Sequence, residues 1–432
     1  MKSLRLLPFF FAIAYSFLYA QPISLAESAA GGKSFNTELK MSPLKDGGFL
    51  AVFQSLREGV TYNNIYVQRV NSSGELLMPV SALPIAGKAL NQTHPAILSI
   101  HQNEIIVVWE KQNEKDNSTD IVAQKINEKG EPLWQNGGIK ICAAIGNQKK
   151  PHITTNYSDE IFIVWEDERK KGDVDVYAQK INLDGQTEWQ NDGLLVVQAH
   201  GNQENLVVSS DGRNGVFILW EDFRNGSYWN LYLQQVYSKG EIKFPVEGKN
   251  LFPDAQYNQN NCKIIEDGAY GGFIAFEAKK DQGTGTDVYY ARFKQNGEVE
   301  YEMPACEMPG DQKNPKIVRQ LNNLVVYWED EREGNADIYA QAISPLKGNE
   351  IWDAGGKSLV YGMFPQKNAL FYYAFELNAS FLVYEEEKNG KSDLFISKYN
   401  NEGETLENFE KIPVSPGTEH QSSVNMTYEP DA

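Results

Sequence analysis

The residues best equipped for chemistry in this sequence recur in one short motif, W-E-D-x-R. It is intact at Trp165 to Arg169, Trp220 to Arg224 and Trp328 to Arg332, and the first and last of these, each followed by D-[IV]-Y-A-Q, supply the candidates for ligand contact: Glu166, Asp167, Arg169, Glu329, Asp330 and Arg332. One place after a recurring aromatic residue an acid stands at Glu110, Glu166, Glu221, Glu277, Glu329 and Glu385. Four places after it a cation stands at Arg57, Arg169, Arg224, Lys280, Arg332 and Lys388. An aromatic face flanked by charged hydrogen-bonding groups is a common way to hold a sugar, so several copies would make a multivalent lectin. Two carboxylates facing one sugar would be enough for a glycoside hydrolase. The architectural reading needs neither: Asx side chains hold turns, arginines pair with them, and residues required in every copy are what a repeat uses to build itself. Gln54 and Ser55 replace the acids in the first copy, and Lys111 and Asn113 replace an acid and a cation in the second.

Other chemistry finds little support. His94, His101, His152, His200 and His420 show no metal-ligand spacing, and no H-E-x-x-H, C-x-x-C or G-x-S-x-G run occurs. Glu166 to Glu168 and Asp116 to Asp120 offer oxygens without the grammar of a dedicated calcium loop. The sequence therefore predicts no catalytic residue, no metal site and no cofactor.

The motif sits on a repeat. Phe53, Trp109, Trp165, Trp220, Phe276, Trp328 and Tyr384 each end a short apolar run, at spacings of 56, 56, 55, 56, 52 and 56. Seven copies at so steady a period indicate a solenoid, propeller or array. In the third copy four segments read as strands: Gln148 to Thr154, Ile161 to Trp165, Asp175 to Ile181 and Gly185 to Val197. They are short, rich in β-branched and aromatic residues, and punctuated by Gly, Asn and Asp. The predicted fold is all-β, a seven-bladed β-propeller of four-stranded antiparallel blades. A β-solenoid is the runner-up, although its coils are normally shorter. Gln92, Gln148, Gln203, Gln259, Gln312 and Gln366 open the first strand of successive blades and Gln421 is a seventh, so residues 421–428 are expected to close the ring beside the N-terminal blade. Antiparallel alternation puts the N-Q-x-x-P segments and the W-E-D-x-R loops at one end of the blades.

Lys2 and Arg5 followed by the apolar stretch Leu6 to Tyr19 read as a signal peptide over residues 1–20, with cleavage after Ala20 or Ala26. Residues 27–33 would be a linker and 34–432 the propeller, with no integral membrane segment once the signal is removed. The destination is then secreted, periplasmic or cell-envelope. Loss of Lys2 and Arg5 takes the net charge from −18 to −20, which argues against nucleic acid as a partner. Cys142, Cys262 and Cys306 are too few for a disulfide framework.

The pair W-E-D-x-R and D-[IV]-Y-A-Q, intact at Trp165 to Arg169 with Asp175 to Gln179 and at Trp328 to Arg332 with Asp337 to Gln341, resembles repeats of secreted bacterial β-propeller proteins, largely uncharacterised. The resemblance implies a propeller in an exported setting and brings no activity with it. The expectation from sequence is an exported non-enzymatic binding or scaffold propeller with an unknown protein or glycan partner. The alternatives are the multivalent lectin and the glycoside hydrolase-like enzyme.

Overall fold

In the third blade the run Ile161–Asp167 is buried at every residue, as a strand with neighbours on both faces requires, and its continuous apolar sequence answers that demand. It pairs antiparallel with Gln148–Thr155 on one side and Asp175–Ile181 on the other. A fourth strand, Leu194–Val197, completes the sheet. The same order recurs in seven four-stranded antiparallel sheets, giving the predicted all-β fold of seven blades in a propeller arrangement. This computed structural model describes residues 34–44, 49–57, 59–71, 77–79, 82–86, 90–100, 103–170, 172–201, 203–280, 285–374, 378–389, 391–406 and 411–413. The expected signal peptide (1–20), linker (27–33) and closing strand (421–428), with His101 and His420, lie outside them. Among the described residues no helix is long and apolar enough to cross a membrane.

The fourth strands are shorter than expected. The fourth segment of the third blade, read as one stretch from Gly185, is an isolated bridge at Thr187 followed by a strand that begins only at Leu194. Gly193 interrupts it with a φ of 84°, a left-handed conformation that favours glycine. The first blade takes its inner strand from Ser34–Pro43, paired with Phe49–Arg57.

The chain folds as two compact units. Of the described residues, the first comprises those within 34–107, 124–138 and 368–413, and the second those within 108–123 and 139–367. Within the second, blades three to six are complete, and their first strands lie against one another in succession. The glutamine that opens each of them is fully buried, and in blades five and six its backbone docks on the blade before: Gln259 N–H donates to the Trp229 carbonyl at 2.9 Å and Gln312 N–H to that of Thr286 at 2.7 Å. Between blades three and four the core holds Phe162, Val164 and Val176 against Leu206, Ile218 and Trp220. Blades four and five meet through Phe217, Leu219 and Leu231 against Ile264, Ile274 and Phe276.

The W-E-D-x-R loop is tied down by its own members. Asp330 accepts the Trp328 indole N–H at 2.7 Å on Oδ2, and takes the Arg332 guanidinium as a fork, Nε to Oδ1 at 2.8 Å and Nη2 to Oδ2 at 2.6 Å. The guanidinium carbon lies 4.0 Å from the centroid of Tyr339, whose ring stacks on Trp328. Trp165, Asp167, Arg169 and Tyr177 repeat this set, as do Trp220, Asp222, Arg224 and Tyr232. Each aspartate is fully buried, so its charge is stable there only because the fork and the indole satisfy it.

Asp330→Ala strips the acceptor from a guanidinium that is only 11% exposed, and should lower unfolding free energy in urea by about 3–5 kcal/mol. Gly248, at φ 79°, lies so close to Trp220 that an added Cβ would stand 2.2 Å from the ring carbon Cη2. Gly248→Ala should cost about 1–3 kcal/mol in the same measurement, because neither a buried tryptophan nor the backbone can easily yield.

Candidate functional site

The first strand of each blade carries an irregularity, at its third residue in blades two to seven and at its fifth in blade one. Glu38, His94, Lys150, Asn205, Asn261, Asn314 and Asn368 all have positive φ, between 47° and 56°. Strand register slips beside them, at Glu204/Val207, Asn260/Lys263 and Lys313/Lys316 among others. Four of the seven are asparagine, the residue after glycine that most readily enters the left-handed region. A bulge of this kind turns one N–H out of its own ladder.

That N–H finds the acid of the preceding blade. Successive residues of a strand face opposite ways, so while Trp220 packs toward blade three, Glu221 points toward blade five. Glu221 Oε1 accepts the Asn261 N–H at 2.7 Å, Glu277 Oε1 the Asn314 N–H at 2.7 Å, and Glu110 Oε1 the Lys150 N–H at 2.7 Å. In the first unit Gln54 Oε1 takes the His94 N–H at 3.1 Å. The bulge side chain then turns to the acid of its own blade: Asn205 Nδ2 to Glu221 Oε2 at 2.9 Å, Asn261 Nδ2 to Glu277 Oε1 at 2.7 Å, and Asn314 Nδ2 to Glu329 Oε2 at 2.8 Å. Asn261 also donates to Asn314 Oδ1 at 3.3 Å. In the second unit the result is a belt in which carboxylates alternate with exposed bulge residues along blades three to six.

The environments along this belt differ. Glu221 is 4% exposed, and burial raises its pKa above the ordinary carboxylate value, against the lowering effect of Asn205, the Asn261 N–H and Lys263. Burial likewise raises Glu166, but there Lys150 Nζ approaches Oε1 at 3.0 Å and supplies a counter-charge. Among the described residues, the donors hydrogen-bonded to Glu221 are the neutral Asn205 Nδ2 and Asn261 N–H, while the Lys263 ammonium acts on it through its field alone. Glu277 is more open to solvent and shares Asn261 with it, the backbone N–H of that residue going to the buried carboxylate and its side-chain amide to the partly exposed one. Two acids with unlike surroundings are the arrangement from which acid and base roles separate.

Of the residues singled out from sequence, Glu166 and Glu329 stand in this belt. Asp167, Arg169, Asp330 and Arg332 form the packed sets of the loops. Trp109, Trp165, Trp220, Phe276, Trp328 and Tyr384 are at most 1% exposed and Phe53 is 3%, so the repeated aromatics are core. His94 is a bulge residue. Among the described residues no group of three or more His, Cys, Asp or Glu could hold a metal ion. Cys142, Cys262 and Cys306 are buried free thiols, pushed up to about 12 chiefly by burial, which leaves them inert. Sequence reasoning missed the bulge residues, whose signal is an Asn two places after the opening Gln, at Gln203/Asn205, Gln259/Asn261, Gln312/Asn314 and Gln366/Asn368.

No family model and no curated protein matches this chain. Among solved structures it is similar to an ulvan lyase from a new family of polysaccharide lyases, bound to -[GlcA(1-4)Rha3S]-, with a TM-score of 0.51 and 11% identity over 89% of this chain and 95% of that one. It is also similar to a protein of unknown function from Dyadobacter fermentans (TM-score 0.42, 13% identity, 72% and 94% covered) and to a glycosyl hydrolase from Bacteroides ovatus (0.31, 10%, 63% and 89%). At these identities the likeness shows the architecture alone. The expectation that put a non-enzymatic binding or scaffold role first is corrected by this comparison, since a solved structure that matches most of this chain is a polysaccharide lyase, which favours the glycoside hydrolase-like alternative over the scaffold.

Proposed function

We propose that this chain is a glycan-acting enzyme that takes a sugar chain along the carboxylate belt of its second unit. The observation that carries the reading is the pair Glu221 and Glu277, bridged by Asn261 and differing in burial. Glu221, raised by its surroundings, keeps a proton at a pH where an ordinary carboxyl has lost it, and serves as the general acid at a glycosidic oxygen. Glu277, nearer to solvent, is the partner that activates water or attacks the sugar carbon. Asn261 and Asn314 offer amide groups to hydroxyls. The similarity to a polysaccharide lyase supports a polymer as substrate. The exported setting expected from residues 1–20 suits an enzyme that meets such polymers outside the cell.

The test is a screen of the purified chain on ulvan, polygalacturonate, alginate, xylan and β-mannan, following both reducing ends and the ultraviolet absorbance of an unsaturated product. Reducing ends alone mean hydrolysis, both signals mean elimination, and silence on every polymer would overturn the reading. Glu221→Gln and Glu277→Gln should each reduce turnover by about 10²- to 10⁴-fold. The fold should survive, because Gln54 already fills the equivalent place and accepts the bulge N–H of His94.

The pH dependence has a definite sign. A carboxyl with a raised folded-state pKa adds stability that is complete below its unfolded value, near 4.5, and is lost as pH rises through the folded value. Wild-type unfolding free energy should therefore contain a component that falls with rising pH above 4.5, and Glu221→Gln should lack it. Turnover should decline over the same interval as Glu221 loses its proton.

A further inference from the structure

The loop between the second and third strands of blade four differs from its counterparts. Phe223 occupies a place filled by Leu56, Gln112, Glu168, Lys279, Glu331 and Glu387 in the other blades, and Trp229 one filled by Asn63, Thr119, Val174, Thr286, Ala336 and Ser392. Neither aromatic is required by the repeat. They extend the register of Glu221 with Leu231 and Asp222 with Asn230 by one more facing pair, and their ring centroids lie 5.1 Å apart at 40°. Phe223 is 38% exposed, and Trp229 is partly exposed.

The loop is held rigid beneath them. Asn225 Oδ1 accepts the N–H groups of Ser227 and Tyr228, each at 2.9 Å, and Asn225 Nδ2 donates to Asn230 Oδ1 at 2.7 Å. Trp229 is fixed from both sides of its peptide: its N–H donates to Asn258 Oδ1 at 3.0 Å and its carbonyl accepts from Gln259. The backbone contacts of Trp229 recur in other blades, where Asn63 N–H donates to Asn91 Oδ1 and Thr286 N–H to Asp311 Oδ1, so what blade four adds is the two rings themselves, an aromatic surface left partly open to solvent where no other blade places an aromatic residue. Phe223 stands two residues along the chain from Glu221, and Trp229 faces Phe223 across the hairpin. The faces of sugar rings carry C–H groups that stack on aromatic surfaces, whereas their edges carry the hydroxyls that amides and carboxylates bind.

Resting on the glycan-acting reading above, we infer that Phe223 and Trp229 form a stacking subsite that seats a sugar ring of the polymer beside Glu221. Occupancy there holds the chain in register with the carboxylate pair, and the subsite selects sugars that present an unsubstituted, uncharged face.

Affinity electrophoresis through gels containing each of the five polymers tests this directly, with thermal unfolding run on every variant to verify folding. Wild type should be retarded by the polymer it acts on. Phe223→Ala and Trp229→Ala should weaken that retardation roughly three- to tenfold in dissociation constant, and Trp229→Phe should restore most of it. Tyr270→Ala serves as control, because Tyr270 is 41% exposed in the turn at the opposite end of blade five, and it should run as wild type. Retardation unchanged in both alanine variants, with wild type active, overturns the subsite and leaves the enzyme reading standing. A wild type that is neither retarded nor active on any polymer overturns both.

Discussion

The bond from a bulge N–H to the carboxylate of the preceding blade organises much of what surrounds it. A second strand buried on both faces can present its large aromatic residue to one neighbour only by presenting the next residue to the other. That next residue is a glutamate held among apolar strands, where an unpaired charge would be costly. The bulge answers the requirement by releasing a backbone donor at the right height, and the left-handed conformation it needs accounts for the recurrence of asparagine. Strand register, blade spacing and the placement of the acids therefore follow from one contact made in blade after blade.

The same contact makes the belt usable. A carboxylate has two oxygens, and where the backbone N–H occupies one and a single amide the other, spare acceptor capacity and some solvent access remain. The aspartate two places beyond the aromatic has no such reserve, since an indole and a guanidinium fork fill both of its oxygens in full burial. Neighbouring acids in one short motif thus divide into a group consumed by architecture and a group only half consumed. Blade three goes further, because the Lys150 ammonium compensates Glu166, whereas blade four holds Glu221 by neutral hydrogen-bond donors.

This division decides what the sequence could and could not disclose. Blade number and strand order were legible because Trp109, Trp165, Trp220 and Trp328 end strands at a nearly fixed interval, and a large aromatic at such a period marks one strand repeated in every blade. The fourth strands were blurred, because Gly193 resets the backbone inside a run that otherwise reads as continuous. The bulges were hidden, since displacing one residue in an inner strand leaves the apolar pattern nearly intact, and Asn261 reads as an ordinary polar residue. Recurrence of Glu221 and its equivalents suggested pure architecture. Their structural bond is real, yet a contact that recurs does not by itself exclude chemistry, and the preference for a non-enzymatic role rested on treating the two as exclusive.

Departures within a repeat become informative once the common contacts are understood. Blade five replaces the aspartate of the packed loop with Ala278 and its arginine with Lys280, whose ammonium lies 3.8 Å from the Tyr289 centroid and pairs with Glu302 at 2.8 Å. The cation over the tyrosine survives although its partner has changed, so this variation conserves the packing and needs no further cause. Blade four varies in the other sense. It keeps the Asp222 and Arg224 fork intact and adds the rings of Phe223 and Trp229, aromatic where the other blades are not, in the loop that follows Glu221, a buried acid held by Asn205 Nδ2 and the Asn261 N–H. Compensated change marks drift under a structural constraint, whereas additions without a counterpart in the other blades are the feature on which the proposed stacking subsite rests.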